Sequence, residues 1–323
     1  MIVSAVVPHW NRRELLGTLL RSVREQRRPF DEVIVVDNGS TDDSAAFAEA
    51  NGARVMRLER NFGFAAAVNR GIEAARGDWI AILNNDVTLD SEWLATLLEN
   101  VGDAWFATGK TLSARDPRII DGTFDEISRG ACACRCGSGK PDSAVWNKPQ
   151  PIRFAPMTAA LFRRQLFSEV GPIDEQFGSY LEDVDFGIRC SLRGRVGIYI
   201  PAAVAYHLGS ATLGAWNSDT VRLISQNQVV LTAKYFRGLP RWPIMAGQLL
   251  WGILALRHFC AIAWVRGKAS GFRIARNIRR DGFANEKNGI QTILAASERA
   301  IFDLGQQTGF DWYWRVYFWL LRW

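Results

Sequence analysis

Between residues 220 and 280 the chain has no aspartate or glutamate, while eleven lysines and arginines fall in the same stretch. The formal net charge of +6 therefore belongs to one segment, and the remainder of the 323-residue chain is net acidic. Glycine is missing after the first predicted strand, where Pro8-His9-Trp10-Asn11-Arg12 stands. That absence excludes the glycine-rich turn on which dinucleotide oxidoreductases seat a diphosphate. The N-terminus enters an apolar strand without a basic n-region, an h-region or a cleavage site, so no secretory signal is expected. No apolar run reaches the roughly 20 residues that span a bilayer; the uncharged stretch 242–256 stops at Arg257-His258. Cysteines number five, and Cys132, Cys134 and Cys136 alternate too tightly for a simple disulfide framework. Reduced thiols in a cytosolic loop are the reading preferred over a metal cluster, whose ligands are usually spaced further apart. No internal repeat and no low-complexity tract is present. A nucleic-acid recognition motif is missing too, and the apolar runs near the basic tract are too long for that partner.

What is present first is a rhythm. Strands over 2–7, 32–37, 54–57 and 79–83 alternate with helices over 13–25, from Thr41-Asp42 to Asn51-Gly52, over 64–75, and from Ser91 to about 101. Leu15, Leu16, Leu19, Leu20 and Val23 line one face of the first helix. Such βα alternation predicts an α/β fold with a mostly parallel central sheet flanked by helices. Ligands then bind outside the carboxyl ends of the strands. Residues 114–150 read as a loop or insertion. Order returns over 152–162, followed by helices over 165–170 and 183–192 and strands over 196–200 and 203–206. Beyond Thr220 the pattern is helical. The chain is therefore divided into an α/β domain over 1–219 and a basic, Trp-rich helical region over 220–323.

Polar clusters at the predicted strand ends carry the chemistry. Asn84-Asn85-Asp86 closes the apolar run 79–83, where a carboxylate can hold Mg²⁺ or Mn²⁺ against a diphosphate. An ordinary turn is the competing reading. Asp37, followed by Asn38-Gly39-Ser40, offers an acceptor for a pyrimidine N3–H, or else simple turn chemistry. Residues 61–69 put Asn61, Gly63, Phe64 and Asn69 around a small-residue helix start, which suits an anion or close packing on the sheet. Glu182, Asp183 and Asp185 crowd another helix start. Asp185 pairs with Arg189 four residues on, whereas Glu182 and Asp183 act as caps or as a general base. His207 is one of three histidines, a structural residue or a metal ligand.

Together these motifs resemble family 2 glycosyltransferases. The series is Val7-Pro8-x-x-Asn11, Asp37-Asn38-Gly39-Ser40-x-Asp42, Asn61-x-Gly63-Phe64 to Asn69, Asn84-Asn85-Asp86, Gly171-x-x-Asp174-Glu175-x-Phe177 and Glu182-Asp183-x-Asp185 to Arg189. It spans roughly residues 2–227 and is most similar to rhamnosyltransferase-like and galactofuranosyltransferase-like members. The resemblance implies the A-type glycosyltransferase fold, a nucleotide-sugar donor and inversion at the anomeric carbon. It implies that Asp183 is the catalytic base and that Asp37 contacts the base of the nucleotide. It also implies that Asp86 stands at the last position of the family's Asp-x-Asp metal motif and that His207 completes the metal site. Donor contacts are expected from Pro8, Asn11, Asp37, Asn38, Gly39, Asn61, Gly63, Phe64, Asn69, Asn84 and Asn85, and acceptor contacts from Thr158 and Glu182. The chain departs from the family pattern in having one carboxylate in the metal triplet. It also lacks the glycine many relatives have in the acceptor-side loop, here Pro156-Met157-Thr158-Ala159-Ala160.

The expected activity is inverting transfer from a UDP- or dTDP-sugar, dTDP-rhamnose among the candidates, to a hydroxyl of a glycan or polyprenyl-linked acceptor in cell-surface polysaccharide assembly. A divalent cation, Mg or Mn, is the expected cofactor. The C-terminal extension, with Trp242, Trp251 and Trp264 in its basic tract, fits an in-plane hairpin on the inner face of the cell membrane; residues 312–323 resemble a second interfacial helix. An oligomer interface or extra core helices are the alternative for that region. A sugar nucleotidyltransferase and a non-catalytic nucleotide-sugar-binding module are the competing functions.

Overall fold

Valine, isoleucine and alanine fill the strands at the centre of the sheet, and helices cover both its faces. In the computed structural model, which describes residues 1–209, 216–278 and 287–323, β1 (Val3–His9) and β4 (Trp79–Leu83) are buried at every residue. With β2 (Glu32–Asp37) and β3 (Arg54–Arg57) they form a parallel order β4-β1-β2-β3. The crossovers are α1 (Arg13–Arg24), α2 (Ser44–Ala50) and α3 (Phe64–Ala74). Leu16, Leu19, Leu20 and Val23 of α1 are buried, which is the stripe its periodicity predicts.

Beyond β4 the sheet turns mixed. Next come β5 (Val87–Leu89), α4 (Trp93–Asn100), β6 (Phe106–Ser113) and β7 (Ile120–Gly122). They are followed by β8 (Asp125–Ile127), β9 (Ala133–Arg135), β10 (Gln150–Ile152), β11 (Ala159–Arg163), α5 (Arg164–Val170), α6 (Glu182–Leu192) and β12 (Gly197–His207). β11 runs antiparallel to both β4 and β6, while β12 is parallel to β6 and antiparallel to β5 and β10. Ten strands share this sheet, and β8 and β9 form a separate hairpin. The stretch expected to be loop over 114–150 thus carries β7 to β10. β12 replaces two predicted strands. Its register against β6 shifts between Tyr199 and Val204, where Pro201 has no N–H to give the ladder.

Two compact units divide the described chain. The first holds residues 1–124 and 137–209; the second holds 125–136 and 210–323. The second unit is built from the β8–β9 hairpin with α7 (Ser218–Tyr235), α8 (Arg241–Arg257), α9 (Ala261–Ala275), α10 (Lys287–Thr308) and α11 (Trp312–Leu320). Tyr313, Trp314, Tyr317 and Phe318 of α11 are buried with Cys132, Leu250 and Ile301. The aromatic stretch read as a second interfacial helix therefore spends most of its rings on a core, leaving Trp312, Trp319 and Trp323 outside. Among the described residues no helix is long and apolar enough to cross a membrane. All five cysteines are free thiols.

Candidate active site

Parallel strands end on one edge, and there the polar clusters meet. β1 and β2 run in register up to His9 beside Asp37. Asp37 is buried, and its Oδ1 accepts from Ser40 N at 3.0 Å. Asn11 clamps the same turn: its N–H donates to Ser40 Oγ at 2.8 Å and its Oδ1 accepts from Thr41 N at 2.9 Å. His9 reaches the end of β4, accepting at Nδ1 from the Asn85 amide at 2.9 Å. Burial outweighs the pull of Asp37 and Asp42 and lowers the His9 pKa, so the ring is neutral near pH 7 and free to accept.

Asn38 ties this edge to α3. Its amide donates to Asn61 Oδ1 and to Gly63 O, and its Oδ1 accepts from Phe62 N. The start of α3 then docks on the loop before α6: Phe64 N donates to Ser179 Oγ and Ala65 N to Gly178 O. Two glycines permit the approach. Gly39 has φ +76° and a Cβ there would lie 2.5 Å from Arg60 Cα; Gly63 has φ +92° and would meet the Gly178 backbone at 3.0 Å. Midway along α3, Asn69 pairs with both Ile173 N and Ile173 O and reaches Glu175 Oε1.

Several residues expected to contact the donor make contacts within the protein. Asn38 and Asn69 are buried, and the bonds just described join both ends of each amide to the protein itself. Pro8 lies inside β1 rather than in the loop beyond it. The N–H groups of Phe64 and Ala65, expected to face an anion, are taken by the 178–179 loop. Asp37, Asn84 and Asn85 remain at the strand ends.

The metal candidates do come together. His207, the last residue of β12, sets Nε2 3.1 Å from Asp86 Oδ1 and Nδ1 2.8 Å from Asp121 Oδ2. Asp86 O also accepts from Leu208 N, which fixes the triplet against the end of β12. Burial works against a charged ring here, but the Asp121 and Asp86 carboxylates prevail and raise the His207 pKa to about 9. Asp121, on β7, was not found from sequence, because it lies in a stretch without periodicity and only sheet pairing brings it near. Among the described residues no set of three acidic, histidine or cysteine side chains is arranged around a common point. A cation that displaces the proton on His207 Nε2 would have Asp86 and His207 as two protein ligands and take its remaining ligands from phosphates and water. Asp121 on the far nitrogen fits the carboxylate that commonly orients a ligating histidine. Asn84 Oδ1 is buried without a hydrogen-bond partner, an oxygen available to a ligand at the same edge. The residues fit a divalent ion.

Strain marks the same loops. Asn11 and Arg12 after β1, and Tyr180 and Leu181 before α6, are consecutive non-glycine residues at positive φ (54°, 65°, 72° and 67°). Leu181 delivers Glu182 and Asp183 into the first turn of α6, where the helix dipole favours carboxylates. Glu182 is buried and Asp183 half-buried, with Asp183 Oδ1 accepting from Val184 N at 2.8 Å. Asp185 and Arg189 form the expected helix-face pair at 2.9 Å, both buried. Thr158 O accepts from Asn84 N at 2.9 Å, placing the acceptor-side loop beside the triplet.

Comparison with known proteins identifies the family and the fold. The model of the family described as "Glycosyl transferase family 2" matches residues 4–171. An N-acetylglucosaminyl-diphospho-decaprenol L-rhamnosyltransferase from Mycobacterium tuberculosis is 27% identical over 253 residues, covering 70% of this chain and 81% of that protein. A mannosyltransferase from Pyrobaculum calidifontis, solved with GDP-Man and Mn²⁺, superposes with a TM-score of 0.52 at 18% identity, covering 99% of this chain and 85% of that one. The crystal structure of GalNAc-T7 with UDP, GalNAc and Mn²⁺ gives 0.66 at 14% identity over 96% of this chain, which spans 58% of that protein. The shared architecture is the A-type glycosyltransferase fold.

Proposed function

Because the chain belongs to glycosyl transferase family 2, we propose that it is an inverting enzyme moving a sugar from a nucleotide-diphosphate donor to a hydroxyl of a lipid-linked glycan. The observation that carries this reading is the Asp86–His207–Asp121 arrangement on the same strand edge as Asp37. In this reading Asp37 receives the base and Asn84 and Asn85 line the diphosphate. Asp86 and His207 would hold Mg²⁺ or Mn²⁺, which when bound neutralises charge on the leaving diphosphate; the two solved relatives contain Mn²⁺.

Asp183 takes the proton from the acceptor hydroxyl. The freed oxygen forms a bond to the anomeric carbon as the bond to the diphosphate breaks, and its electron pair leaves with the nucleoside diphosphate. Attack opposite the leaving group inverts the centre. General-base assistance of this kind contributes about 10²–10⁴ in rate. The donor in this proposal is a UDP- or dTDP-sugar, dTDP-rhamnose among the candidates; the name of the mycobacterial relative, a decaprenol-linked L-rhamnosyltransferase, supports a rhamnosyl donor and a polyprenyl-linked acceptor. A position at the inner face of the cell membrane is part of this proposal. Asp183→Asn is expected to lower transfer by at least about 10² while leaving nucleoside-diphosphate binding intact. The check is a panel of nucleotide sugars with detection of released nucleoside diphosphate. Near-normal turnover by that variant removes Asp183 from the mechanism.

A further inference from the structure

Helix α8 presents large apolar side chains to solvent. Trp242, Met245, Leu249, Ile253 and Leu256 recur every three or four residues and are 44–64% exposed. Its other face buries Ala246, Gly247, Leu250 and Ala255. On α9 the pattern continues, with Ile262, Val265 and Phe272 outside and Ala263, Gly267 and Gly271 within. A soluble helix puts polar residues on its outer face, so an apolar surface of this extent marks an interaction site.

The turn between the helices adds an independent observation. Cys260 N donates to Ala255 O at 2.7 Å and Phe259 N to Leu256 O at 3.1 Å, the paired closure that ends many helices. Glycine normally occupies the left-handed position of that closure. Here Phe259 holds it, at φ +58°, and its residue is 98% exposed. The chain thus keeps a strained backbone and a bare aromatic ring at the tip of the hairpin.

Charge selects the occupant. Arg257, Arg266, Arg273 and Arg276 are exposed on or beside these two helices, and residues 220–280 contain no acid; Arg279 and Arg280 lie outside the described residues. A second copy would bring the same cations to the contact, whereas anionic headgroups complement them and acyl chains suit the apolar face. We propose that the α8–α9 hairpin docks on an anionic lipid bilayer, with Phe259 and the exposed faces of both helices in the acyl region and these arginines at the headgroups. The inference rests on the membrane-peripheral reading above, but its test uses no transfer reaction, so the two can fail separately.

The full chain is mixed with vesicles of phosphatidylcholine, with or without phosphatidylglycerol, and floated on a density gradient. It is expected to float with the anionic vesicles at least about tenfold better than with the neutral ones. Replacing Leu249, Ile253 and Leu256 together by Ser should remove that binding with the circular dichroism spectrum retained. Phe259→Gly separates docking from folding: it should raise the melting temperature, because glycine relieves the left-handed residue, yet weaken flotation. Wild-type protein that stays at the bottom of the gradient overturns the proposal. So does equal flotation with neutral vesicles, undiminished flotation of the triple or Phe259→Gly variant, or a dimer in sedimentation velocity that the triple variant abolishes.

Discussion

At the scale of single residues, burial decides which polar groups serve the site and which serve the scaffold. Asp121 lies 86 residues from His207 in the chain, yet its carboxylate holds His207 Nδ1 at 2.8 Å and leaves Nε2 directed at Asp86. Asp121→Asn is expected to weaken Mn²⁺ binding roughly 10–100-fold, measured by electron paramagnetic resonance of the free ion during titration. Lys268 supplies a pH-dependent test of the second unit. Its ammonium donates to Gln228 Oε1 at 2.8 Å and to Gln248 Oε1, and Cys132 lies in the same network, accepting from the Gln228 amide. Burial lowers the Lys268 pKa to about 8, with Cys132 working the other way. An unfolded lysine titrates near 10.4, so between about 8 and 10.4 the unfolded chain holds more protons than the folded one. The lysine's contribution is therefore complete above the unfolded value and is lost as pH falls toward 8. Relative to Lys268→Met, wild-type stability should rise between about pH 7 and pH 10, on the order of 2–3 kcal/mol, in urea unfolding. A difference that stays flat with pH shows the ammonium is hydrated in the folded state.

At the scale of elements, strands β2, β3 and β4 lie where the apolar runs put them, and α1 and α3 follow their periodicity to within a residue. These segments are legible because each buries a continuous run or a stripe whose spacing is set by its own geometry. β5 and β7 are not legible: three residues carry no period, and both exist only because β12 and β6 offer them partners. The same distinction governs Asn69. Its position in a motif suggests a ligand contact, while its buried amide joins α3 to the 173–175 turn. Asn69→Ala is expected to leave Ile173 N and O without that partner and to cost about 1–3 kcal/mol for each group left unpaired, seen as a lower urea midpoint.

At the scale of the whole molecule, the division of the chain is not a single cut. Residues 125–136 belong to the second unit: Ile127 N donates to Ser297 Oγ at 2.6 Å, Arg129 pairs with Glu298, and Gln248 donates to Gly130 O at 2.7 Å. Glu298 is fully buried and also accepts from Tyr317 Oη at 2.6 Å. Ending the chain at residue 219 therefore strips this hairpin of its partners and exposes Cys132 and Ile127. Such a truncation is expected to unfold at lower temperature than the full chain and to aggregate, measured by scanning calorimetry and light scattering. An unchanged melting transition for residues 1–219 shows that the hairpin needs no partner.

The sequence by itself determined the strand-and-helix rhythm, the strand-end positions of Asp37 and Asp86, the helix-start position of Asp183, and the confinement of basic charge to one segment, because periodicity, termini and charge are local properties. Tertiary structure alone decided that Asp121 stands behind His207, that the buried amides of Asn38 and Asn69 bond within the protein, and that α11 is largely core while α8 and α9 each leave an apolar face exposed. Each of those depends on which distant residue fills the space beside a side chain. A polar atom's role is fixed by the partner it finds there, and chain order does not encode that partner in any local pattern.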